Sequence, residues 1–526
     1  MRLLFLGIGF WVQAQPPKLV IGIVVDQMRA DYLRRFVGPK SRGLGRLLQE
    51  GIVYWNCHYP YFPTYTGPGH ASLYTGATPA YHGIVANDWW ERALGRTWYC
   101  VEDTTVHPVG TDSPKGKRSP RTLLATTLAD ELRYACRFRN KTLGIALKDR
   151  SAILPIGRSG TLALWFDPQK GMWITSSYYR DSLPAWVVRF NAQRYPDSLL
   201  RVPWTLAKGH ACSDESPYEG TLPTETSPTF PHQPKDYTAL LYTPAGNWLT
   251  LELARHAIQA ESLGRGPCPD FLSISLSSPD LVGHLFGTES CEIEDLYRKL
   301  DKDLADFLAY LSRRFKPGEV VLFLTADHGA APTPEVLAQQ GFSAGRYPEK
   351  ELRARAEAFL RTTLSLPETT EVFAAFLNQN FYFSRRLSPG QRREAALRLK
   401  EWLLEQPNVL AAYTFAELAG PGSSTYTFSR VQAGYLPARS GDVVVIYAPG
   451  WIEGDYPTGT THGSIWTYDT HVPLVWWGLL PWSRAVYQPV RITQVVPTLA
   501  FWLGVPLPSA ATDAPLPEVL DAAFSP

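Results

Sequence analysis

Residues 18–26 read Lys-Leu-Val-Ile-Gly-Ile-Val-Val-Asp, a short apolar run that ends directly on a carboxylate. An uninterrupted run rich in Val and Ile is typical of a strand buried on both faces of a parallel sheet. Similar runs follow at residues 141–148, 271–277, 320–325, 441–447 and 472–477. Helical patterns separate several of them, the clearest over residues 292–315. The sequence therefore predicts an α/β fold with a central, mostly parallel sheet sandwiched by helices.

The size and composition of the chain restrict the class of protein. Its 526 residues, of which 45% are hydrophobic and 19% charged, exclude a disordered or fibrous protein and allow a large core. Lys and Arg number 51 and Asp and Glu 49, a formal charge of +2, so the charge balance indicates no specificity for nucleic acid. With 40 Gly and 44 Pro, we expect long ordered loops around the compact centre.

The first residues have the features of a targeting segment. Met1-Arg2 is followed by uncharged residues 3–12 and by Ala14, an order that predicts a secretory signal peptide over residues 1–14. A buried first strand is the alternative. No other apolar run reaches the about 18–20 residues that span a bilayer. We expect residues 15–526 to form a single soluble catalytic domain, monomeric, and periplasmic or secreted.

Two segments depart from the alternation of strands and helices. Residues 151–247 are rich in Pro, Tyr and Trp, and residues 345–440 carry two helical patterns that resemble a small α+β lobe. We interpret both as insertions folded as a cap over one edge of the central sheet. The six cysteines contain no Cys-x-x-Cys pair, which disfavours a thiolate metal site and leaves their disulfide pairing open.

Charged side chains follow four of the predicted strands. They are Asp26, the trio Lys148-Asp149-Arg150, Asp280 and the pair Asp327-His328. In an open α/β sheet, ligands bind beyond the carboxyl ends of the strands. Four such coincidences predict a site at that edge of the sheet.

Several of these residues have the spacing of metal ligands. Asp280 and His284, four positions apart, share one face of a helical turn, and Asp327 and His328 are adjacent at a strand end. Each pattern also has a structural explanation when taken alone, as a surface pair or as an ordinary loop. His462 in a polar loop is preferred as a further ligand over His471, which directly precedes a buried strand.

Residues 63–76, Pro-Thr-Tyr-Thr-Gly-Pro-Gly-His-Ala-Ser-Leu-Tyr-Thr-Gly, predict a short helix with Pro68 in its first turn and Gly76 at its end. Thr66 would then lie at the positive end of the helix, where free backbone N–H groups favour an oxyanion. Its hydroxyl is a poor nucleophile unless its proton is removed or its charge stabilised, as a zinc ion can do. A helix N-cap is the simpler reading of this threonine alone.

Taken in order along the chain, these motifs resemble the alkaline phosphatase superfamily, and most closely the bacterial phosphate-irrepressible alkaline phosphatases with a threonine nucleophile. The longest similar stretches are residues 61–70 and 148–155. The resemblance implies two zinc ions per chain and phosphothreonine chemistry at Thr66. It also implies specific ligands: one zinc ion would be held by Asp280, His284 and His462, and the other by Asp26, Asp327, His328 and Thr66.

The resemblance places Asn87, Lys148 and Arg150 at the phosphoryl group. The two cations, Lys148 and Arg150, indicate the class of substrate. A phosphate monoester bears about two negative charges, while a diester bears about one. Two cations at its oxygens therefore favour small-molecule phosphate monoesters.

A phosphodiesterase or nucleotide pyrophosphatase on the same scaffold is the alternative, and a non-catalytic zinc-binding protein is a further one. A sulfatase is disfavoured because Thr66-Gly-Pro-Gly-His70 lacks its Cys or Ser and its Arg. The natural substrate and the choice of zinc over other divalent ions stay open.

Overall fold

The computed structural model describes residues 16–207, 212 and 216–524. The signal peptide predicted over residues 1–14 lies outside these residues. In the described part of the chain, eleven strands form the central sheet. Across the sheet they are Arg484–Val486, Gly51–His58, His471–Trp477, Val320–Thr325, Leu19–Val25, Asp270–Leu276, Thr142–Ala146, Leu162–Asp167, Met172–Ser176 and Pro108–Val109, with Val490–Arg491 beside Gly51–His58.

The centre of this sheet is parallel. The strands Val320–Thr325, Leu19–Val25, Asp270–Leu276, Thr142–Ala146 and Leu162–Asp167 are neighbours and run in one direction. All of their residues are buried, because helices cover both faces. The prediction of an α/β fold with a mostly parallel central sheet is confirmed. Because these strands are in register, their carboxyl ends lie together at one edge.

Two of the predicted strands are placed differently. His471–Trp477 belongs to the central sheet but pairs antiparallel with both of its neighbours. Val443–Tyr447 lies outside the central sheet, so the prediction that residues 441–447 are one of its parallel strands is wrong. Its alternate side chains enter two different apolar clusters, and it is therefore buried on both faces although it is antiparallel. Such a strand has the same apolar run as a parallel one.

Val443–Tyr447 belongs to a smaller sheet with a core of its own. In spatial order this sheet consists of Phe373–Leu377, Asn380–Phe383, Val443–Tyr447 and Val409–Thr414. Helices Glu349–Thr363 and Pro389–Leu404 pack on it through side chains such as Leu360 and Leu399. The second helix begins with the capping box predicted at Ser388 and Gln391. The remaining strands form two pairs: Asp88–Glu91 with Arg96–Tyr99, and Gly345–Tyr347 with Trp451–Glu453.

The helices cover the two faces of the central sheet and build the smaller lobe. The longer ones are Thr66–Thr75, Leu128–Ala135, Ala185–Ala192, Ala245–Ala260, Ser278–Phe286, Cys291–Arg314, Glu349–Thr363, Pro389–Leu404, Tyr426–Gly434, Val495–Leu503 and Pro517–Phe524. The shorter ones are Tyr32–Arg35, Leu44–Glu50, Pro79–His82, Asp149–Ile153, Tyr195–Leu199, Tyr237–Leu241, Pro334–Gln339, Phe415–Ala419 and Thr467–Thr470. Across the described residues, none of the helices is both long and apolar enough to cross a bilayer.

The aromatic segment 151–247 contributes two strands, Leu162–Asp167 and Met172–Ser176, to the central sheet itself, between Thr142–Ala146 and the edge strand Pro108–Val109. Farther along, Cys212 forms a disulfide with Cys291, the first residue of the long helix Cys291–Arg314. The other four cysteines, all within the described residues, are free thiols. The single catalytic domain and the limits of both insertions stay a prediction.

Candidate active site

The predicted site residues meet at the carboxyl edge of the parallel strands. Asp26 follows the strand Leu19–Val25 directly, and its backbone N–H donates to the carbonyl of Leu276 on the neighbouring strand, 3.0 Å away. Asp280 stands in the first turn of helix Ser278–Phe286, which begins after that strand. Asp327 and His328 follow the strand on the other side. The register of the sheet therefore brings together side chains that are far apart in sequence.

Two sets of buried side chains, found among the described residues, have the geometry of metal sites. In each set, one potential ligand atom of every member lies within 4.8 Å of the others. The first set contains Asp26, Asp327 and His328, the protein ligands predicted for one zinc ion. The second contains Asp280, His462 and again His328. His284, predicted for this second ion, lies beside the set, with its Nε2 3.1 Å from Oδ1 of Asp280.

Backbone carbonyls orient the three histidines. In each of them Nδ1–H donates to a carbonyl, which orients the ring and directs Nε2 toward the carboxylates of the site. The pairs are His284 with Thr460 at 2.9 Å, His328 with Gly329 at 2.9 Å, and His462 with Thr64 at 2.8 Å. Burial lowers the pKa of both His328 and His462, so these imidazoles are neutral, as metal ligands must be.

The carboxylates of the site also fit a cation. Oδ1 of Asp26 and Oδ2 of Asp327 are buried and have no hydrogen-bond partner in the described structure. Burial raises the pKa of Asp26 well above its ordinary value and that of Asp327 to about 7. Two neighbouring carboxylates are ionised at such a place only beside positive charge. Oxygen and imidazole donors of this kind are the ligands of zinc and related divalent ions, so the residues present fit a metal centre.

Lys148 supplies part of the positive charge. Its Nζ lies 2.7 Å from Oδ2 of Asp26 and 2.5 Å from Oδ2 of Asp280, and so bridges the two sets. Burial opposes ionisation of Asp280, but His284 and Lys148 outweigh it and hold the pKa of that carboxyl well below its usual range. The same carboxylates raise the pKa of Lys148 against the effect of its burial.

Thr66 is the first residue of helix Thr66–Thr75 and is buried, as the motif predicts. Its Oγ1 lies 3.4 Å from Nε2 of His328 and 3.5 Å from Nη2 of Arg150. The helix approaches the strand end so closely that a Cβ at Gly69 would lie 2.3 Å from the carbonyl oxygen of Asp327. Only glycine fits there, and this contact brings the hydroxyl beside the metal-ligand sets.

The remaining predicted residues surround Thr66. Oδ1 of Asn87 accepts a 2.7 Å hydrogen bond from the backbone N–H of Gly67, which holds the amide at the start of the helix. Arg150 lies at the same threonine, with its Nη2 3.5 Å from Oγ1. His471, the rejected alternative to His462, donates to the carbonyl of Trp55 at 2.9 Å and stacks on His58. His462 instead lies 3.5 Å from Oδ1 of Asp280.

Two residues of the site were missed from the sequence. Gln27 donates from its backbone N–H to Asp327 at 3.2 Å and from its side chain to Asp280 at 2.9 Å, and so connects the two sets. Its φ of 65° turns the chain after the strand, and its place next to a strand-end aspartate was the available signal. His70 donates to the carbonyl of Thr66 at 2.9 Å and lies 3.3 Å from Asp327. The sequence feature that could have indicated His70 is its position one helical turn after Thr66.

Comparison with known proteins identifies the family. The family model of type I phosphodiesterase / nucleotide pyrophosphatase matches residues 20–472, most of the chain. The chain belongs to this family. The resemblance to alkaline phosphatases that the sequence motifs indicate is confirmed by individual relatives.

Individual members of the family are similar over nearly the whole chain. Alkaline phosphatase PafA of Elizabethkingia meningoseptica is 38% identical over 96% of this chain and 94% of its own length. The crystal structure of wild-type PafA superimposes with a TM-score of 0.90 over 96% of this chain and 99% of that one. Alkaline phosphatase PhoV of Synechococcus elongatus is 37% identical over 96% of this chain and 93% of its own. A Myroides odoratus protein named calcium-transporting ATPase is 38% identical over 96% of this chain and 95% of its own. The prediction that the chain is an enzyme of the alkaline phosphatase type is confirmed by these relatives.

Proposed function

We propose that this enzyme is an exported alkaline phosphatase of broad substrate range that hydrolyses phosphate monoesters with Thr66 as nucleophile and two zinc ions as cofactors. One observation carries the proposal: the buried Oγ1 of Thr66 lies within 3.5 Å of both the imidazole of His328 and the guanidinium of Arg150. A hydroxyl placed between a metal-ligand histidine and a phosphate-binding cation is equipped to attack a phosphoryl group.

Two zinc ions at such a centre would supply positive charge that favours the deprotonated threonine and offsets the charge of the transferring phosphoryl group. The proposed ligands of one ion are Asp26, Asp327, His328 and Thr66, and those of the other are Asp280, His284 and His462. Gln27 would hold Asp280 and Asp327 in place through its two hydrogen bonds. All of these residues come from one chain, so the proposal needs no second subunit, and we propose a monomer.

The reaction would proceed in two displacements. Oγ1 of Thr66 loses its proton and attacks phosphorus, a new O–P bond forms, and the bond from phosphorus to the ester oxygen breaks. The ester oxygen takes up a proton and leaves as the alcohol. Water then attacks the phosphothreonine, which releases inorganic phosphate and restores the hydroxyl. Asn87, Lys148 and Arg150 would bind the non-bridging oxygens throughout. The backbone N–H groups at the start of helix Thr66–Thr75 add to the positive potential there.

Arg150, which contacts Thr66, and Lys148, which lies on the carboxylates of Asp26 and Asp280, favour a monoester over a diester, because the monoester carries more charge at its non-bridging oxygens. The full-length relatives named alkaline phosphatase support the same choice. The family description names the alternative, a phosphodiesterase or nucleotide pyrophosphatase. The ratio of hydrolysis rates for an aryl phosphate monoester and a bis-aryl phosphate diester distinguishes the two functions.

The proposed export rests on the apolar residues that follow Met1-Arg2 and agrees with the disulfide between Cys212 and Cys291, since such bonds persist in oxidising compartments. The periplasm or the extracellular space is the proposed location.

The proposal is tested by replacing the nucleophile. We expect Thr66→Ala to lower the rate of aryl phosphate hydrolysis by about 10⁴-fold or more, since loss of a covalent nucleophile has effects of this order. Thr66→Ser, which keeps a hydroxyl, should retain more of the activity. Thr362→Ala removes an exposed hydroxyl on helix Glu349–Thr363 and serves as the matched control. Near-normal turnover by Thr66→Ala with its metal content unchanged would end the proposal.

A further inference from the structure

Asp149 stands between the two proposed phosphate-binding cations but faces other partners. Its Oδ2 accepts a 2.7 Å hydrogen bond from Nε of Arg118. Its Oδ1 accepts one from the backbone N–H of Arg150, at 2.7 Å, and another from the hydroxyl of Tyr99. The charge of Asp149 is therefore matched by Arg118 and does not reach the guanidinium of Arg150 through an ion pair.

The hydroxyl of Tyr99 connects Asp149 to Arg150. Nη1 of Arg150 donates to this oxygen at 3.0 Å, and the phenol donates its own proton to Asp149. Burial raises the pKa of Tyr99 well above its ordinary value, so the phenol keeps the proton that it donates. The guanidinium of Arg118 lies 5.0 Å from the centre of the Tyr99 ring and fixes the ring from its face.

This arrangement leaves one edge of the Arg150 guanidinium open. Nη1 is occupied by Tyr99, Nη2 makes a long hydrogen bond of 3.5 Å to Oγ1 of Thr66 and keeps a second N–H, and Nε is buried without a hydrogen-bond partner in the described part of the chain. Nε and Nη2 form the edge with which arginine holds two oxygens of an anion. A buried donor without a partner is costly unless a ligand satisfies it. The open edge therefore points to two phosphoryl oxygens.

The use of a phenol rather than a carboxylate has a physical reason. A carboxylate in direct contact with Arg150 would neutralise the cation and compete with phosphate for it. Within the described residues, the ion pairs include none between Arg150 and a carboxylate. The neutral Tyr99 hydroxyl fixes the direction of the guanidinium and leaves its charge for the substrate.

The same hairpin also connects to Asn87. Tyr99 is the last residue of the strand Arg96–Tyr99, which pairs with Asp88–Glu91, and Asn87 directly precedes that strand. The backbone N–H of Cys100 donates to the carbonyl of Asn87 at 2.8 Å. One short hairpin therefore presents Asn87 to the helix of Thr66 and Tyr99 to Arg150.

We propose that Tyr99 and Asp149, held by Arg118, are positioning residues that set the open Nε–Nη2 edge of Arg150 against the phosphoryl group and thereby establish the preference for phosphate monoesters. The inference rests on the proposed monoesterase function and adds to it the residues that determine specificity.

The test is a double-mutant cycle in which hydrolysis of two substrates, a phosphate monoester and a diester, is measured. Tyr99→Phe removes only the hydroxyl, and Arg150→Ala removes the group that it positions. We expect Tyr99→Phe to lower kcat/KM for an aryl phosphate monoester by about 10- to 100-fold, the usual range for a hydrogen bond to a charged group. The rate for a bis-aryl phosphate diester should change by less than about threefold. In the Arg150→Ala background, Tyr99→Phe should have almost no further effect on the monoester.

Two further variants separate positioning from general damage. Asp149→Asn keeps the shape of the side chain and should lower the monoester rate in the same direction as Tyr99→Phe. Tyr178→Phe removes a phenol that donates to the carbonyl of Arg158, outside the site, and should leave both rates unchanged. A monoester rate of Tyr99→Phe within twofold of the wild type would overturn the inference. So would an equal loss on the diester, or an undiminished loss in the Arg150→Ala background.

Failure of the proposed function can be told apart from failure of the inference. If the wild-type enzyme hydrolyses no phosphate monoester, the proposed function is wrong, and the cycle is then measured on the binding of inorganic phosphate by isothermal titration calorimetry. Weaker binding by Tyr99→Phe than by the wild type and Tyr178→Phe, absent in the Arg150→Ala background, supports the positioning role. Equal affinities of all variants overturn it.

Discussion

The imidazole rings of His328 and His462 are stacked, with their centroids 3.5 Å apart and their planes 14° from parallel. Two imidazolium ions would repel each other at this distance, and burial already lowers the pKa of both rings. Both rings are therefore neutral and direct Nε2 toward the carboxylates of Asp26 and Asp280. Neutral rings that direct Nε2 at buried carboxylates fit a metal-binding role for these residues.

Removal of metal should accordingly affect stability as well as activity. We expect elemental analysis of the purified enzyme to give about two divalent ions per chain and a chelator to abolish aryl phosphate hydrolysis. Because Asp26, Asp280 and Asp327 are buried together, the apoenzyme should also unfold at a temperature lower by several degrees. Zinc should restore both properties. A chelated sample shown to be metal-free that keeps its activity and its melting temperature would contradict the two-metal centre.

The variant Asp327→Asn tests whether the effect of the chelator depends on a carboxylate of the proposed metal centre. It keeps the volume of the side chain and removes one ligand charge, so the chelator should lower the melting temperature of this variant less than that of the wild type. Asp112→Asn, at an exposed carboxylate paired with Lys170, should respond to the chelator like the wild type.

The cations at the phosphoryl site should discriminate between substrates. We expect the double substitution Lys148→Ala, Arg150→Ala to lower kcat/KM for a phosphate monoester by about 10²- to 10³-fold, the usual effect of losing donors at a transition-state oxygen. A diester, with less charge at these oxygens, should lose less than about tenfold. Lys170→Ala, which removes an exposed lysine, is the control. Equal losses on both substrates would favour the phosphodiesterase alternative.

The sequence predicts most of the site because the site lies at strand ends. Asp26, Asp280, Asp327 and His328 each adjoin an apolar run, and a parallel sheet brings the ends of such runs together. The contacts of Gln27 were not predictable, since they depend on a turn with positive φ and on two carboxylates distant in sequence.

Other features need the packed chain. The apolar run at residues 441–447 indicates a strand that is buried on both of its faces, but it does not specify which sheet the strand joins. His328 is a member of both metal-ligand sets, and its ring stacks on that of His462, a contact that only the packed chain provides. The Tyr99 hydroxyl reaches Arg150 because a hairpin folds back over the strand end, which no local pattern indicates.

The aromatic segment 151–247 contains a histidine whose charge should make the stability of the fold depend on pH. His232 is buried between Glu225, 2.9 Å from Nδ1, and Glu292, 3.2 Å from Nε2. Burial alone would lower the pKa of His232, but the two carboxylates raise it above its ordinary value. Because the pKa is higher in the folded state, this group stabilises the fold fully below about pH 6.5, its unfolded value. The contribution is lost as the pH rises through the folded pKa.

Melting temperatures of the wild type and His232→Gln between pH 5 and pH 9 check this sign. The variant should be less stable by several degrees at low pH, since an uncharged amide replaces the imidazolium between two carboxylates. The difference between the two proteins should shrink as the pH rises. His256→Gln, at a half-exposed histidine on helix Ala245–Ala260, is the control. A difference that stays constant or grows with pH contradicts the assignment.

The disulfide between Cys212 and Cys291 should stabilise the fold by restricting the conformations of the unfolded chain. It closes 79 residues, and the chain-entropy relation gives an upper value of about 4.5 kcal/mol for a loop of this length. We expect a reductant to lower the melting temperature of the wild type by several degrees and to leave that of the Cys212→Ser, Cys291→Ser variant unchanged at its lower value.

Cys268→Ser removes a thiol outside this bond and should respond to the reductant like the wild type. Monoester hydrolysis at low temperature should persist in the double variant, because neither cysteine lies among the residues around Thr66. A wild type whose melting temperature is insensitive to verified reduction of this bond would show that the bond does not stabilise the fold.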